Sequence, residues 1–195
     1  MKQLALGISP LPQPTLDNFI PGANAELLAQ LRRLQAGCYA ESVLYLWGDA
    51  GAGKSHLIAA CAEHQAVDDV ETLDEAAQIG LFNAINEARQ QGGAILAAGN
   101  APPAQLPLRE DLKSRLAWGL VFQLKPLSDE ERAAYLRAES ERRGFKLGDE
   151  VVSYLLTRMR RDLRSLTSVL ERLDQYSLET KRPITLPLVR EATRE

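Results

Sequence analysis

Cysteine is scarce in this chain, an excess of basic residues is missing, and no long apolar run occurs. Two cysteines among 195 residues, Cys38 and Cys61, make no disulfide framework, and this fits a reducing setting. Cys61 lies in an apolar helical stretch and reads as a small core residue. Lys and Arg number 23 against 26 Asp and Glu, a net charge of −3, which excludes general adhesion to nucleic acid. No run of eighteen apolar residues and no apolar segment after the start support a membrane span or export, so a cytoplasmic location is expected. The two histidines, His56 and His64, do not cluster with Cys or carboxylates at metal-ligand spacing and read as non-ligands. What remains is a chain with 45% hydrophobic residues, enough for one large domain or a core domain with a smaller one.

Residues 48–55 read Gly48-Asp49-Ala50-Gly51-Ala52-Gly53-Lys54-Ser55, a complete G-x-x-x-x-G-K-[ST] phosphate loop. Its glycines let backbone N–H groups close around a phosphate chain. Lys54 is placed to reach the β- and γ-phosphates, and the Ser55 hydroxyl to hold Mg²⁺. By accident such a string turns up roughly once in a hundred chains of this length. An apolar run, Val43–Trp47, leads in, and a helix-like stretch from Ser55 to Glu63 leads out. Strand, loop and helix in that order set a helix N-terminus against the phosphates.

Residues 1–22 are rich in Pro and Gly and read as an extended arm. Leu27, Leu28, Leu31 and Leu34 recur at helical spacing, with Asn24 as N-cap and Gly37 as stop. After the phosphate loop come a short strand ending in acids (66–70), a helix over 74–91 with Ile79, Phe82 and Ile85 as its apolar stripe, a strand over 94–98, a polar helix over 109–117 and a strand over 120–124. Alternating strands and helices imply a parallel α/β sheet. After Pro126 only helices follow: one opened by a capping box at Ser128–Glu131, one near 149–160 and one near 162–178. The domains expected are therefore an arm over 1–22, an α/β core over 23–126 and a helical domain over 127–195.

Four constellations carry chemistry. Asp68 and Asp69 end a strand downstream of the phosphate loop, where ligands of parallel sheets bind, so a carboxylate there suits the Mg²⁺ that bridges phosphates. Asn100 ends the next strand; its amide suits a γ-phosphate or attacking water and equally suits a turn before Pro102 and Pro103. Arg115 and Arg164 are arginines that on residue type alone read as solvated helix faces, although the first has the reach of a finger supplied to a neighbour's phosphates. Gln3-Leu4-Ala5-Leu6 is a glutamine followed by apolar residues, the kind of peptide that docks into a hydrophobic pocket.

The order of these pieces, with Lys113–Gly119 and Leu124–Glu130 as the most specific strings, resembles the DnaA-related AAA+ family from about residue 3 to 194, and within it the Hda group of regulatory inactivators. The resemblance implies a AAA+ sheet with a helical lid. It implies Asp68 and Asp69 as the acid pair, Asn100 as sensor 1, Arg164 as sensor 2 and Arg115 as an arginine finger. Gly48 through Ser55, with His56 and Arg164, are then the residues that hold ADP or ATP, with Mg²⁺ at Ser55, Asp68 and Asp69. Gln3, Leu4 and Leu6 match the peptide by which such proteins bind the sliding clamp, the β subunit of DNA polymerase III. The partners implied are that clamp and DnaA, whose bound ATP would be hydrolysed; the homo-oligomeric state stays open. The chain stops before the helix-turn-helix domain of DnaA, so no sequence-specific DNA binding is expected. An active ATPase, a DnaA-like initiator paralogue or a helicase loader, is the alternative.

One departure stands out. Relatives have a strand and a helix between the phosphate-loop helix and the acid strand, whereas here Gln65 joins almost directly to Ala66. Either an edge strand and its helix are absent, or the sequence omits them.

Overall fold

The computed structural model describes residues 13–159 and 162–193. The peptide Gln3–Leu6 lies outside them. Two compact units divide after Pro126, one built from 13–126 and the other from 127 onward.

The first unit is a parallel sheet of four strands, β1 (Val43–Trp47), β2 (Ala66–Val67), β3 (Ile95–Gly99) and β4 (Leu120–Gln123), in the order β2-β3-β1-β4. Side chains alternate across a strand, so β1 feeds two cores. Leu44 and Leu46 face Leu27, Leu31 and Leu34 of α1 (Ala25–Gln35) and Leu57 of α2 (Lys54–Ala60). Val43 and Tyr45 face Leu81 and Ile85 of α3 (Glu75–Gln91) and Leu112 and Leu116 of α4 (Glu110–Leu116). A sheet covered on both faces is what parallel strands require. Strand β2 has only two residues and pairs with β3 alone, so it forms the sheet edge. No strand lies outside it among the described residues, in keeping with the missing edge element at Gln65.

Three expectations need correction. Asn24 occupies the N-cap position of α1 but its side chain caps nothing there. Its amide nitrogen donates instead to the carbonyls of Pro21 and Lys125, at 3.0 and 2.9 Å, and its oxygen accepts the Lys125 N–H at 2.8 Å. A buried amide forms the bonds that leave nothing unsatisfied, and the backbone at Lys125, just after β4, offers both a donor and an acceptor. The stripe of α3 is also shifted: Leu81 and Ile85 are buried, while Ile79 is exposed. Finally, residues 15–22 are not a free arm, since Leu16 is buried in the core with α1.

The second unit packs four helices rather than three: α5 (Asp129–Arg142), α6 (Asp149–Arg158), α7 (Leu163–Thr180) and α8 (Leu186–Ala192). Ser128 and Glu131 form the expected capping box, each side chain bonding the other's backbone N–H. Leu166, Leu170 and Leu173 of α7 meet Leu136, Leu155, Leu188 and Val189 in one core.

Candidate functional site

The phosphate loop leaves the C-terminal end of β1 and enters α2. Gly53 has φ +108°, a region closed to most side chains, and a Cβ there would lie 2.9 Å from the Phe19 ring. Gly48 is needed for a second reason: a Cβ would lie 2.6 Å from the Leu124 carbonyl oxygen. The buried Lys54 ammonium donates to the carbonyls of Gly48 (2.7 Å) and Asp49 (3.1 Å), which fixes it over its own loop. Ser55 follows as an exposed residue in the first turn of α2. His56 uses its ring against the Thr15 carbonyl at 3.0 Å and packs near Phe19, with ring centroids 5.6 Å apart. The stretch Thr15–Phe19 thus lies against the loop, a contact sequence reading missed because nothing local announces it.

The acids lie at the same edge of the sheet. Asp68 and Asp69 directly follow β2, and Asp68 Oδ1 accepts the Asp69 N–H at 2.9 Å. Asp69 has φ +47°, turning the chain sharply into the 3₁₀ turn Val70–Thr72. Asn100 directly follows β3 and is exposed; its N–H donates to Glu71 Oε2 at 3.3 Å, and its side chain bonds to no described residue. Glu71 is a second residue sequence reading did not single out. Its carboxylate reaches from the acid turn to the end of β3 and faces Tyr45, whose hydroxyl donates to the Ala101 carbonyl at 2.8 Å. Burial, then the Glu71 charge, push the Tyr45 phenol well above its ordinary range, so it remains a neutral donor. Ser55, Asp68 and Asp69 together offer hydroxyl and carboxylate oxygens, the donor set that suits Mg²⁺.

Arg115 is elsewhere. Helix α4 leads into the N-terminal end of β4, and β4 begins beside the start of β1. Arg115, in the last turn of α4, is therefore at the opposite edge of the sheet from residues 48–55. Its Nε donates to Asn86 Oδ1 at 2.8 Å, and its guanidinium carbon stands 3.5 Å from the centre of the Trp118 ring and 5.0 Å from that of Phe82. No carboxylate pairs with it among the described residues. A recess of about 440 Å³ adjoins this group, walled by Tyr39, Glu41, Arg89 and Trp118. Arg164 lies in the other unit, exposed in the first turn of α7, whose N-terminus Asp162 caps by accepting the Ser165 N–H.

A phosphate loop after the central strand, acids after an edge strand and a polar strand end between them, with helices only in the second unit, make up the AAA+ type of fold. The chain is similar in fold to domain III of the Thermotoga maritima replication initiation protein DnaA, at 22% identity and TM-score 0.75, over 94% of this chain and 96% of that one. AMPPCP-bound DnaA from Aquifex aeolicus is similar at 21% identity and TM-score 0.70, over 83% of this chain and 65% of that one. The Thermotoga maritima RuvB Holliday junction branch migration motor is similar at 19% and 0.68, over 92% and 70%. Residues 129–192 match the family model described as the Hda lid domain. The chain thus shares the fold of these proteins, and its helical unit matches the Hda lid family model.

Proposed function

We propose that this protein regulates the initiation of DNA replication by promoting hydrolysis of ATP bound to DnaA. The observation that carries the reading is the Hda-type lid at 129–192 on a DnaA-like fold. The placement of Arg115 supports it. A guanidinium at the sheet edge opposite its own phosphate loop suits another subunit's γ-phosphate better than its own. Its partners are neutral, so its charge is uncompensated and serves to stabilise the charge of phosphoryl transfer.

In this account Lys54 and the loop N–H groups hold ADP or ATP in this chain, Ser55 with Asp68 or Asp69 holds Mg²⁺, and Arg164 reports on the phosphates from the lid. The metal would neutralise phosphate charge. Gln3, Leu4 and Leu6 tether the protein to the sliding clamp, which raises its effective concentration near DnaA. The intact phosphate loop and acid pair also favour a second reading, an ATPase with its own turnover.

The experiment follows labelled ATP on DnaA with DNA-loaded clamp. Omitting the clamp or deleting residues 1–8 is expected to lower stimulation at limiting protein. Equal stimulation without either overturns the clamp tether. Steady hydrolysis of this protein's own ATP, indifferent to DnaA, replaces the regulator by the ATPase.

A further inference from the structure

We infer that Trp118 is the positioning residue of Arg115: its indole face holds the guanidinium in the plane from which the terminal N–H groups meet a partner's phosphate. The functional half of this inference rests on Arg115 being the group that reaches that phosphate.

Trp118 is 40% exposed, which leaves part of its indole open to solvent at the surface where Arg115 lies. Here Arg115 lies 3.5 Å above the ring centre, the distance of a stacked cation–π pair. Asn86 takes the Nε–H, fixing rotation about the side-chain axis, and the ring fixes the tilt. Two constraints suffice to orient a planar fork. They consume one of its five N–H groups, and no described residue accepts from the four terminal ones. A carboxylate partner would orient the fork too, but would neutralise it and occupy those same donors. Trp118 holds the arginine without spending its charge. Trp118 is one wall of the recess beside this group, and Arg89 also approaches its ring, at 4.5 Å, which adds a second hold on the indole.

Loss of the stack leaves Arg115 present but loosely aimed. Misplacement penalises the transition state more than association. The test is single-turnover hydrolysis of DnaA-bound ATP as a function of this protein's concentration, for the full chain and the variants Trp118→Leu, Trp118→Phe and Arg115→Ala. Trp118→Leu is expected to lower the maximal stimulated rate about fivefold at an unchanged half-saturating concentration, with Trp118→Phe restoring most of it. A normal maximal rate in Trp118→Leu, where Arg115→Ala loses it, overturns the inference.

A second measurement separates this failure from failure of the finger itself. In the free protein, the Arg115 Nε–H NMR resonance is expected upfield through the indole ring current, with slow guanidinium rotation, and to move to the ordinary position in Trp118→Leu. An ordinary, fast-rotating Arg115 resonance in the native chain overturns the inference whatever the hydrolysis assay shows. A shifted resonance with stimulation indifferent to Arg115→Ala overturns the finger, and with it the functional half of the inference, leaving the stack as a structural contact only.

Discussion

Replacing Asn24 by alanine removes three hydrogen bonds at once and strands the Lys125 N–H and carbonyl in a partly buried place. The expected cost is about 2–3 kcal/mol in the α/β unit, read as a lower urea midpoint at unchanged slope. Asn24→Asp keeps the acceptor and loses both donors, so it is expected to be as damaging; full stability of the aspartate variant would contradict the bonding pattern. The two cysteines give a second expectation. Burial pushes the Cys61 thiol up to about 11, while Cys38 is exposed. At pH 8 a maleimide is expected to take Cys38 quickly and Cys61 only after unfolding; two equally fast labels would show that Cys61 is not in the core. At this scale the sequence was readable where partners are neighbours. The eight residues 48–55 are consecutive and announce themselves, whereas the Asn24 partner is 101 positions away. Nothing local distinguishes an asparagine that caps a helix from one that reaches across the fold. Separation along the chain, shorter but still far from local, also hid the approach of Glu71 to Asn100 and of Phe19 to Gly53.

Helices with strong period or explicit caps were legible: α1, α3, α5 and α7 lie within a residue or two of their expected places. Helix α8 was not, because it has only seven residues, a proline in its first turn and just two buried apolar side chains to show a period. The spacing Ile79, Phe82, Ile85 and the spacing Leu81, Ile85 both fit a helical period, so period alone does not choose between them; packing buries Leu81 and leaves Ile79 exposed. Helix α5 carries a pH expectation. Hydrogen bonds from Arg142 and Arg143 hold the Glu139 carboxyl below its ordinary range, against the opposing effect of burial. A carboxylate whose folded pKa is depressed adds stability that is complete above its unfolded value and fades as pH falls through the folded one. Glu139→Gln is therefore expected to destabilise the helical unit at pH 7 and to converge with the native chain at acid pH, as measured by thermal unfolding at both. A gap that persists undiminished into acid would show that the carboxylate charge is not what these arginines use.

At the scale of the molecule, the sheet order separates two chemistries. Phosphate loop, acids and Asn100 share the C-terminal edge of the parallel strands, and Arg115 with Trp118 occupies the N-terminal edge. A module with a receptor at one edge and an arginine at the other suits head-to-tail use, one copy's arginine against another's nucleotide. Sequence order alone could not display this, since Arg115 follows the loop by only sixty residues and the two edges appear only once strands are paired. Despite the short stretch at Gln65, β1 and β3, which bear the loop and Asn100, pair with each other along their whole length, while the outer side of β3 meets β2 at Leu96 and Ala97. The most direct test of the account is the single-turnover rate of labelled ATP on DnaA, with DNA-loaded clamp and the ADP form of this protein, native or Arg115→Ala. The account predicts stimulation by the native chain and a loss of at least about a hundredfold of it in the variant. Equal stimulation by Arg115→Ala, with the variant folded and nucleotide-loaded, would contradict it.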